Sequence, residues 1–262
     1  MTPLKMRPSR VLRKLRAGQI AYSVKLNLAD ARAAEIAGQC GADAVWLDLE
    51  HVPNSIHDVE AQIRAAKIYD CDAIVRVERG SYSDLIRPFE MDAAAIMVPH
   101  VMSAADAKEI AWRTRFYPIG RRPLDGGNAD GAYCGIPVKD YIEQANRERM
   151  VIVQIEDPEA MEEIEGISAV EGIDMIFFGP GDYSHAIGDA GNLNHPLVQE
   201  GYKRVANAAL KHGKFAGTVG PAAMLQSFVD MGYRYFNPAA DVTALRQSFL
   251  EAGAIAAALT LP

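Results

Sequence analysis

The chain has 262 residues, of which 49% are hydrophobic and 23% are charged, and its formal net charge is −7 at pH 7. This length and composition are typical of a globular protein with one large domain or two smaller ones. The acidic balance excludes a nucleic-acid-binding protein that works through bulk positive charge, and it argues against docking on an anionic membrane surface.

The predicted elements alternate between short apolar strands and longer helices along the whole chain. In chain order, the strands are predicted at residues 20–24, 44–49, 73–77, 95–99, 151–155, 175–178, 215–218 and 235–237. The helices are predicted at residues 30–38, 56–69, 83–91, 104–114, 138–147, 158–164, 196–212, 222–231 and 242–258. Strands that are apolar over their whole length indicate a parallel sheet buried on both faces.

Eight strand–helix units in about 250 residues match the size of a (β/α)8 TIM barrel. We therefore predict an α/β protein in which residues 1–262 form a single TIM barrel. A doubly wound open sheet is the alternative, but no glycine-rich dinucleotide-binding fingerprint follows the first strand. The one long interruption, residues 117–137, is predicted to be functional and to lie with the loops that follow strands, although a tolerated surface insertion would have the same composition.

The cysteines and the two ends of the chain bear on where the protein is found. Cys40, Cys71 and Cys134 lie far apart and show no zinc-ligand spacing, so a reducing, cytoplasmic compartment is predicted. Charged residues interrupt the sequence before Ala17, and no signal-peptide core is predicted there. The apolar segment 252–261 is shorter than the ~20 residues that a membrane span needs, and it is predicted to be a terminal helix.

Polar side chains gather at the predicted carboxyl ends of the strands, where barrel enzymes build their active sites. In strand order they are Asp48, His51, Arg76, His100, Gln154, Glu156, Asp182 and Asn237. Charges at one end of an apolar barrel are costly to bury unless they are paired or bind a metal. The sequence therefore predicts a polar site at this end of the barrel.

Glu156 and Asp182 follow strands five and six, which are neighbours in a barrel. Two carboxylates without a Cys or His ligand pattern favour a hard cation such as Mg²⁺ or Mn²⁺. Each acid alone would also fit a solvated loop or a helix cap, but the pair at corresponding strand ends favours a metal. Gly179 and Gly181 precede a predicted helix, and their backbone fits either a carboxylate or phosphate site or an ordinary tight turn.

Asp48 and His51 lie on the same predicted loop, and a carboxylate beside an imidazole can raise its basicity, as a general base requires. A histidine satisfied by local hydrogen bonds is the alternative. Arg76 is predicted to be a cation at a buried strand end that either pairs with Glu156 or holds a substrate oxyanion. For His100, packing and function fit equally well.

Taken together, these motifs resemble the class II pyruvate-dependent aldolases, the relatives of 4-hydroxy-2-oxoheptanedioate aldolase within the aldolase/citrate lyase family. The resemblance covers residues 17–252. It rests on Gly41-Ala42-Asp43, Leu47-Asp48-Leu49-Glu50-His51 with Pro53-Asn54, Arg76, Met97-Val98-Pro99, Val153-Gln154-Ile155-Glu156 with Glu159-Ala160, Gly179-Pro180-Gly181-Asp182-Tyr183-Ser184, and Gly191-Asn192 with His195-Pro196.

The resemblance implies a fold, an assembly and a set of roles. The fold is a TIM barrel, and the assembly is a hexamer, a dimer of trimers, with the C-terminal helix swapped between subunits. A divalent metal (Mg²⁺, Mn²⁺ or Co²⁺) is bound by the residues that match Glu156 and Asp182. The substrate is contacted by Gln154, Gly179, Gly181 and Asp182, and by Arg76, which holds the 2-oxo group and is also catalytic. The base is His51, which is oriented by Asp48 and Glu90.

Two features depart from the family pattern. Glu90 stands where the family usually has Asp, and the extra methylene changes the reach of its carboxylate. Residues 117–137 also differ from the best-known members, which bears on the choice of aldehyde more than on the chemistry.

The expected activity is the reversible cleavage of a 4-hydroxy-2-oxo acid to pyruvate, or a close 2-oxo acid, and an aldehyde. The metal and Arg76 would stabilise the charge that develops, and His51 would take the 4-hydroxyl proton. Lys25 is the lysine nearest to the predicted mouth but lies just past strand one, so a Schiff-base aldolase is not expected. An acyl-CoA lyase of the citrate lyase beta-subunit type is an alternative that lacks a basic patch for the CoA phosphates, and a non-catalytic barrel fits the retained strand-end charges less well.

Overall fold

The computed structural model describes residues 4–259. Its eight strands form a closed parallel barrel in which each strand pairs with the next and β8 pairs with β1. The strands are β1 Ala21–Leu26, β2 Ala44–Asp48, β3 Asp72–Arg76, β4 Ala95–Val98, β5 Met150–Ile155, β6 Met175–Phe178, β7 Phe215–Val219 and β8 Tyr235–Ala240. The predicted (β/α)8 barrel is confirmed, because a closed ring of strands excludes the doubly wound open sheet.

Helices separate and follow the strands, and they differ from the predicted ones at three places. They are α1 Arg10–Arg16, α2 Ala31–Gln39, α3 Ile56–Lys67, α4 Tyr82–Glu90, α5 Ala104–Thr114, α6 Val138–Glu148, α7 Pro158–Glu162, α8 Ile164–Ser168, α9 Pro180–Ala186, α10 Pro196–Lys211, α11 Leu225–Met231 and α12 Asp241–Ala257. α1 was not predicted, and no bounds were predicted for α9. The predicted helix at 158–164 is divided at Glu163, whose φ of −100° and ψ of 10° leave helical geometry. Within residues 4–259, no helix combines the length and apolarity that crossing a membrane requires.

The strands pack on both faces because successive side chains point to opposite sides of the sheet. The outward set contacts the helices and includes Val45, Val75, Ile96, Val151 and Ile176. The inward set fills the barrel and includes Trp46, Ile74, Met97, Ile152, Phe177 and Tyr235. An interior filled with side chains is a packed core rather than a pore, so ligands bind above it.

Helix α1 closes the amino-terminal end of the barrel. Ser9 caps it by accepting a hydrogen bond from the Leu12 amide at 3.0 Å. Asp72, the first residue of β3, accepts hydrogen bonds from Ser9 Oγ at 2.6 Å and from the Val11 amide at 2.9 Å. Val11 and Leu12 are buried in the same cluster as the barrel interior. The opposite, carboxyl-terminal end, which we call the mouth, is therefore the side from which ligands approach.

Residues 117–137 lie at the amino-terminal end of the barrel, opposite the end predicted for them. They connect α5 to α6, so they follow a helix rather than a strand. Arg115, just before them, donates to the carbonyl oxygens of Gly172 at 2.8 Å and Arg149 at 2.6 Å, which precede β6 and β5. The prediction that this segment lies with the loops after strands is wrong, because α5 has already returned the chain to the amino-terminal end.

Helix α12 packs little against its own barrel. None of its residues is buried, and its exposed apolar side chains include Leu245, Phe249, Leu250 and Ile255. A run of exposed apolar side chains on one element marks an interaction surface.

Candidate active site

Two groups of charged side chains lie at the mouth of the barrel. The first, which we call the Asp48 cluster, belongs to β1–β3 and consists of Lys25, Asp48, Glu50 and Arg76. The second, the Glu156 cluster, belongs to the end of β5 and the residues after β4, and it consists of His100, Gln154, Glu156 and Asp157. The strand-end residues predicted from the sequence are thus brought to one end of the barrel.

Asp48 is the centre of the first cluster and is fully buried. Arg76 donates to it twice, from Nε to Oδ1 at 3.0 Å and from Nη2 to Oδ2 at 2.5 Å. Lys25 Nζ lies 2.8 Å from the same Oδ2. Burial opposes ionisation of Asp48, but the hydrogen bonds and charges of Arg76 and Lys25 outweigh it and hold its pKa well below the usual range.

Arg76 is held from two sides and keeps hydrogen-bonding capacity. Its Nη1 lies 2.9 Å from Glu50 Oε2, and its guanidinium carbon lies 5.0 Å from the ring centroid of Trp46. Each Nη atom carries a pair of N–H groups, so each has one left after the contacts with Asp48 and Glu50. The pairing with Glu156 that the sequence left open is not formed, since Asp48 and Glu50 occupy the guanidinium.

His51 has an exposed side chain at the edge of the mouth. Its Nε2 lies 3.5 Å from Glu50 Oε2. Asp48, which was expected to orient it, instead accepts from Arg76 and from the Glu50 amide at 3.0 Å. In residues 4–259 the acid beside the imidazole is therefore Glu50, which belongs to the motif but was given no role from the sequence.

Glu90 is not brought to His51 within one chain. It ends α4, which runs from the carboxyl end of β3 towards the amino end of β4. Burial raises the pKa of Glu90; of the charges that act on it, those of Arg122, which lowers it, and Asp130, which raises it, have the largest effects, and both residues lie in the segment after α5. His51 follows β2 at the mouth, so the two side chains lie towards opposite ends of the barrel.

Glu156 is a buried carboxylate whose Oε1 lies 3.8 Å from His100 Nδ1. It is 1% exposed, and its oxygens accept from the His100 amide at 2.9 Å and from Gln154 Nε2 at 3.0 Å. Its pKa is raised to about 7, mainly by burial and also by the charge of Asp182, although the hydrogen bond and charge of His100 act to lower it. A Cβ atom at Gly179 would lie 2.4 Å from Glu156 Oε2, so this turn needs glycine to accommodate the carboxylate.

His100 connects the two clusters. Its φ of 47° lies in the left-handed region, which non-glycine residues rarely adopt. Its Nδ1 lies 2.8 Å from Asp157 Oδ2, and its Nε2 lies 3.7 Å from Glu50 Oε1. Burial lowers the pKa of His100, but Asp157 and Glu156 outweigh that effect and raise it. The structure thus places His100 at the site, where the sequence left its role open.

Glu156 and Asp182 are the side chains that fit a metal. Asp182 is exposed in the first turn of α9, and its charge acts on the buried Glu156, so two like charges lie near each other. Residues 4–259 contain no group of three or more His, Cys, Asp or Glu arranged around one metal position. Two carboxylates, with the other ligands supplied by water and substrate oxygens, are a donor set that suits Mg²⁺ or Mn²⁺ rather than zinc.

Comparisons with known proteins identify the family. The profile of a family described as HpcH/HpaI aldolase/citrate lyase matches residues 23–248. The hydroxypyruvate/pyruvate aldolase of Delftia acidovorans is 33% identical over 237 residues, 90% of this chain and 88% of that protein. The 5-keto-4-deoxy-D-glucarate aldolase of Klebsiella pneumoniae is 29% identical over 242 residues, 92% and 94% of the two chains.

A solved structure gives the same relationship in three dimensions. The HpcH/HpaI aldolase from Desulfitobacterium hafniense superposes with a TM-score of 0.90 at 27% identity, covering 95% of this chain and 97% of that one. The resemblance inferred from the strand-end motifs is thereby confirmed. This chain belongs to the HpcH/HpaI aldolase/citrate lyase family.

Proposed function

We propose that this chain is a metal-dependent aldolase that reversibly cleaves a 4-hydroxy-2-oxo acid to pyruvate, or a close 2-oxo acid, and an aldehyde. Family membership and the aldolase names of its relatives support this activity. The observation that carries it is Glu156, a buried carboxylate beside Asp182 whose pKa is raised to about 7. A carboxylate this costly to bury is expected where a cation binds.

In this proposal, the metal ligands, the substrate-binding groups and the base have separate tasks. Mg²⁺, Mn²⁺ or Co²⁺ held by Glu156 and Asp182 would polarise the 2-oxo group and stabilise the charge that develops as the carbon–carbon bond breaks. Arg76 directs its remaining N–H groups at the 2-oxo oxygen. Gln154 and the backbone of Gly179, Gly181 and Asp182 orient the substrate carboxylate. His51 takes the proton of the 4-hydroxyl group, and the aldehyde leaves.

Metal removal tests the proposal. Treating the protein with EDTA is expected to lower both pyruvate release from a 4-hydroxy-2-oxo acid and exchange of pyruvate methyl protons with D₂O. Both rates should fall by about a hundredfold or more, because a Lewis acid contributes several kcal/mol to such a step. NMR follows the exchange, and added Mn²⁺ should restore it. Full activity after thorough metal removal would contradict the proposal.

We also propose that the working unit is a hexamer, a dimer of trimers, with α12 swapped between subunits. Two observations support an assembly: α12 has no buried residue, and Phe249 on it is 70% exposed. An assembly also allows Glu90 of one subunit to lie beside His51 of another. If Glu90 orients His51, as the resemblance implies, it must come from another copy, since the two lie towards opposite ends of one chain.

Complementation between two variants tests this assignment. His51→Ala is expected to lower kcat by about a hundredfold or more, since it removes a general base. Glu90→Ala should lower it less, because Glu90 acts through His51. Oligomers formed by co-expressing the two variants should recover activity, because some sites then combine His51 of one chain with Glu90 of another.

Sedimentation velocity and mass spectrometry of the same samples give the number of chains and show whether mixed oligomers form. Mixed oligomers that recover nothing would show that Glu90 does not act on His51. A monomer in solution would contradict the assembly as a whole.

A cytoplasmic location is part of the same proposal. Its support is that Cys40, Cys71 and Cys134 are all free thiols in the structure. Recovery of the protein from an oxidising compartment on cell fractionation would contradict it.

A further inference from the structure

Lys25 is a cation at the mouth to which the proposed mechanism gives no task. It lies within β1 near the carboxyl end, so the prediction that it lies just past this strand is wrong, and it is in register with Trp46 of β2. Its ammonium lies 5.4 Å from the centroid of the Trp46 ring and 2.8 Å from Asp48 Oδ2. Its side chain is 20% exposed, so it forms part of the wall of the mouth rather than extending into solvent.

Asp48 does not require Lys25 as its partner. The fork of Arg76 already donates to both oxygens of this carboxylate, and the Glu50 amide donates to Oδ1 as well. An apolar side chain on the face of Trp46 would avoid the cost of removing an ammonium from water. We therefore expect Lys25, the second cation on this carboxylate, to have a role beyond neutralising Asp48.

The ammonium has hydrogen-bonding capacity to spare. An ammonium carries three N–H donors and accepts nothing, and the contact with Asp48 uses one of them. The remaining donors fit hydroxyl or carboxylate oxygens, whereas an alkyl group offers them no acceptor.

The order of strands places Lys25 across the mouth from Glu156. In a closed barrel of eight strands, β1 and β5 lie on opposite walls, and Glu156 directly follows β5. Arg76 at the end of β3 lies between them around the ring. In the proposed function, a substrate held at its 2-oxo end by Glu156, Asp182 and Arg76 would place the carbons of the reacting bond towards Lys25.

We propose that Lys25 is a specificity-determining residue that donates a hydrogen bond to a substrate hydroxyl oxygen, on a carbon that takes part in the bond made or broken or on the carbon next to it. The enzyme then prefers hydroxylated substrates to their alkyl counterparts of the same shape. This inference rests on the proposed aldolase function. The hydroxyl belongs either to the aldehyde or to the 2-oxo acid, and the relatives named for hydroxypyruvate favour including the second source.

Two pairs of substrates of matched shape test the proposal. Glycolaldehyde and propanal differ by a hydroxyl for a methyl group in the aldehyde, and hydroxypyruvate and 2-oxobutanoate differ in the same way in the 2-oxo acid. The measured quantity is the ratio of kcat/KM within each pair. Lys25→Met is expected to lower this ratio by about tenfold or more in at least one pair, since it removes a charged hydrogen-bond donor. The pair that responds identifies which end of the substrate Lys25 contacts.

Further variants separate recognition from support of the fold. Lys25→Arg keeps a charged donor and should keep most of the preference, and Lys25→Gln keeps a neutral donor and should fall between arginine and methionine. Lys108→Met, at an exposed position of α5, is the matched control and should retain both ratios of the unaltered protein. Thermal unfolding is measured for each variant. If Lys25→Met does not fold, the test uses Lys25→Gln and Lys25→Arg instead.

The outcomes distinguish this inference from the proposed function. If Lys25→Met and Lys25→Gln lower kcat/KM equally for both members of each pair, Lys25 only supports Asp48 and Arg76, and the inference is wrong while the aldolase stands. If the unaltered protein neither exchanges pyruvate protons nor turns over any of these substrates, the proposed function is wrong and the inference falls with it.

Discussion

Replacing Arg76 by methionine is expected to lower kcat/KM for aldol cleavage by about a thousandfold. We expect the substrate still to reach the site in this variant. Arg76 is 4% exposed, and its guanidinium is fixed by Asp48, Glu50 and the ring of Trp46. A donor fixed in this way costs no reorganisation when charge develops on the 2-oxo oxygen, and removing one such donor typically costs 10²- to 10³-fold. Arg76 adds a full positive charge to that donor. Steady-state kinetics, with the folded fraction measured on the same sample, checks the prediction.

Loss of stability must be separated from loss of catalysis in this variant. Removing Arg76 takes away the main partner of a buried carboxylate, a change that typically costs 3–5 kcal/mol, although Lys25 still pairs with Asp48. Arg149→Met is the matched control, because Arg149 is buried and pairs with Asp92 at the opposite end of the barrel. It should destabilise the fold without changing kcat per folded molecule. An Arg76→Met enzyme with ordinary kcat would remove Arg76 from the mechanism.

The barrel could be predicted because its signal is spread over the whole chain. Eight apolar runs separated by helical segments leave few other ways to bury both faces of the strands. The closing of the amino-terminal end by α1 was harder to predict, because three buried side chains on a short helix among many charges give almost no periodic signal. Its stability comes from tertiary contacts such as those of Asp72 with Ser9 and Val11.

The position of residues 117–137 shows a different limit. Glycine and proline content predicts an irregular segment but says nothing about which end of the barrel it occupies. That information was present in the order of elements, since the segment follows one predicted helix and precedes another. What composition could not reveal is its internal order: Arg122 lies 2.9 Å from Asp130 and stacks 4.8 Å from the ring centroid of Phe116.

The candidate site was predicted as a set of residues but not as a set of contacts. The rule that barrel sites lie at carboxyl ends of strands brought Asp48, Arg76 and Glu156 together correctly. It could not predict that Arg76 pairs with Asp48, or that Glu50 rather than Asp48 lies beside His51, because these contacts depend on side-chain geometry. Spacing within one loop is weak evidence for a pair when a better partner lies on the next strand.

Replacing Glu156 by glutamine is expected to abolish metal-dependent activity and, in the absence of metal, to stabilise the protein at pH 8. Burial raises the pKa of Glu156 from its ordinary value of 4.5 to about 7. The folded protein therefore binds this proton more tightly than the unfolded chain does. As pH rises from about 4.5 to 7, the free energy of unfolding of the metal-free protein should fall by up to about 3 kcal/mol from this group alone.

Glutamine has the same shape but carries no charge at any of these pH values. The Glu156→Gln variant should thus match the unaltered protein near pH 4 and exceed its stability at pH 8, by up to the same ~3 kcal/mol. Urea unfolding in EDTA at the two pH values measures the difference. Glu171→Gln, at an exposed position, is the control and should show no such pH-dependent gain.

Metal addition completes the test, because a cation competes with the proton for Glu156. Mn²⁺ at pH 8 should stabilise the unaltered protein and leave Glu156→Gln unchanged, and the affinity of the unaltered protein for Mn²⁺ should weaken as pH falls below about 7. A variant that loses activity while gaining stability indicates a residue placed for its ligand at a cost to the fold. If Glu156→Gln is instead less stable than the unaltered protein at pH 8 in EDTA, the carboxylate is stabilised by the chain itself, and the argument that its burial calls for a cation fails.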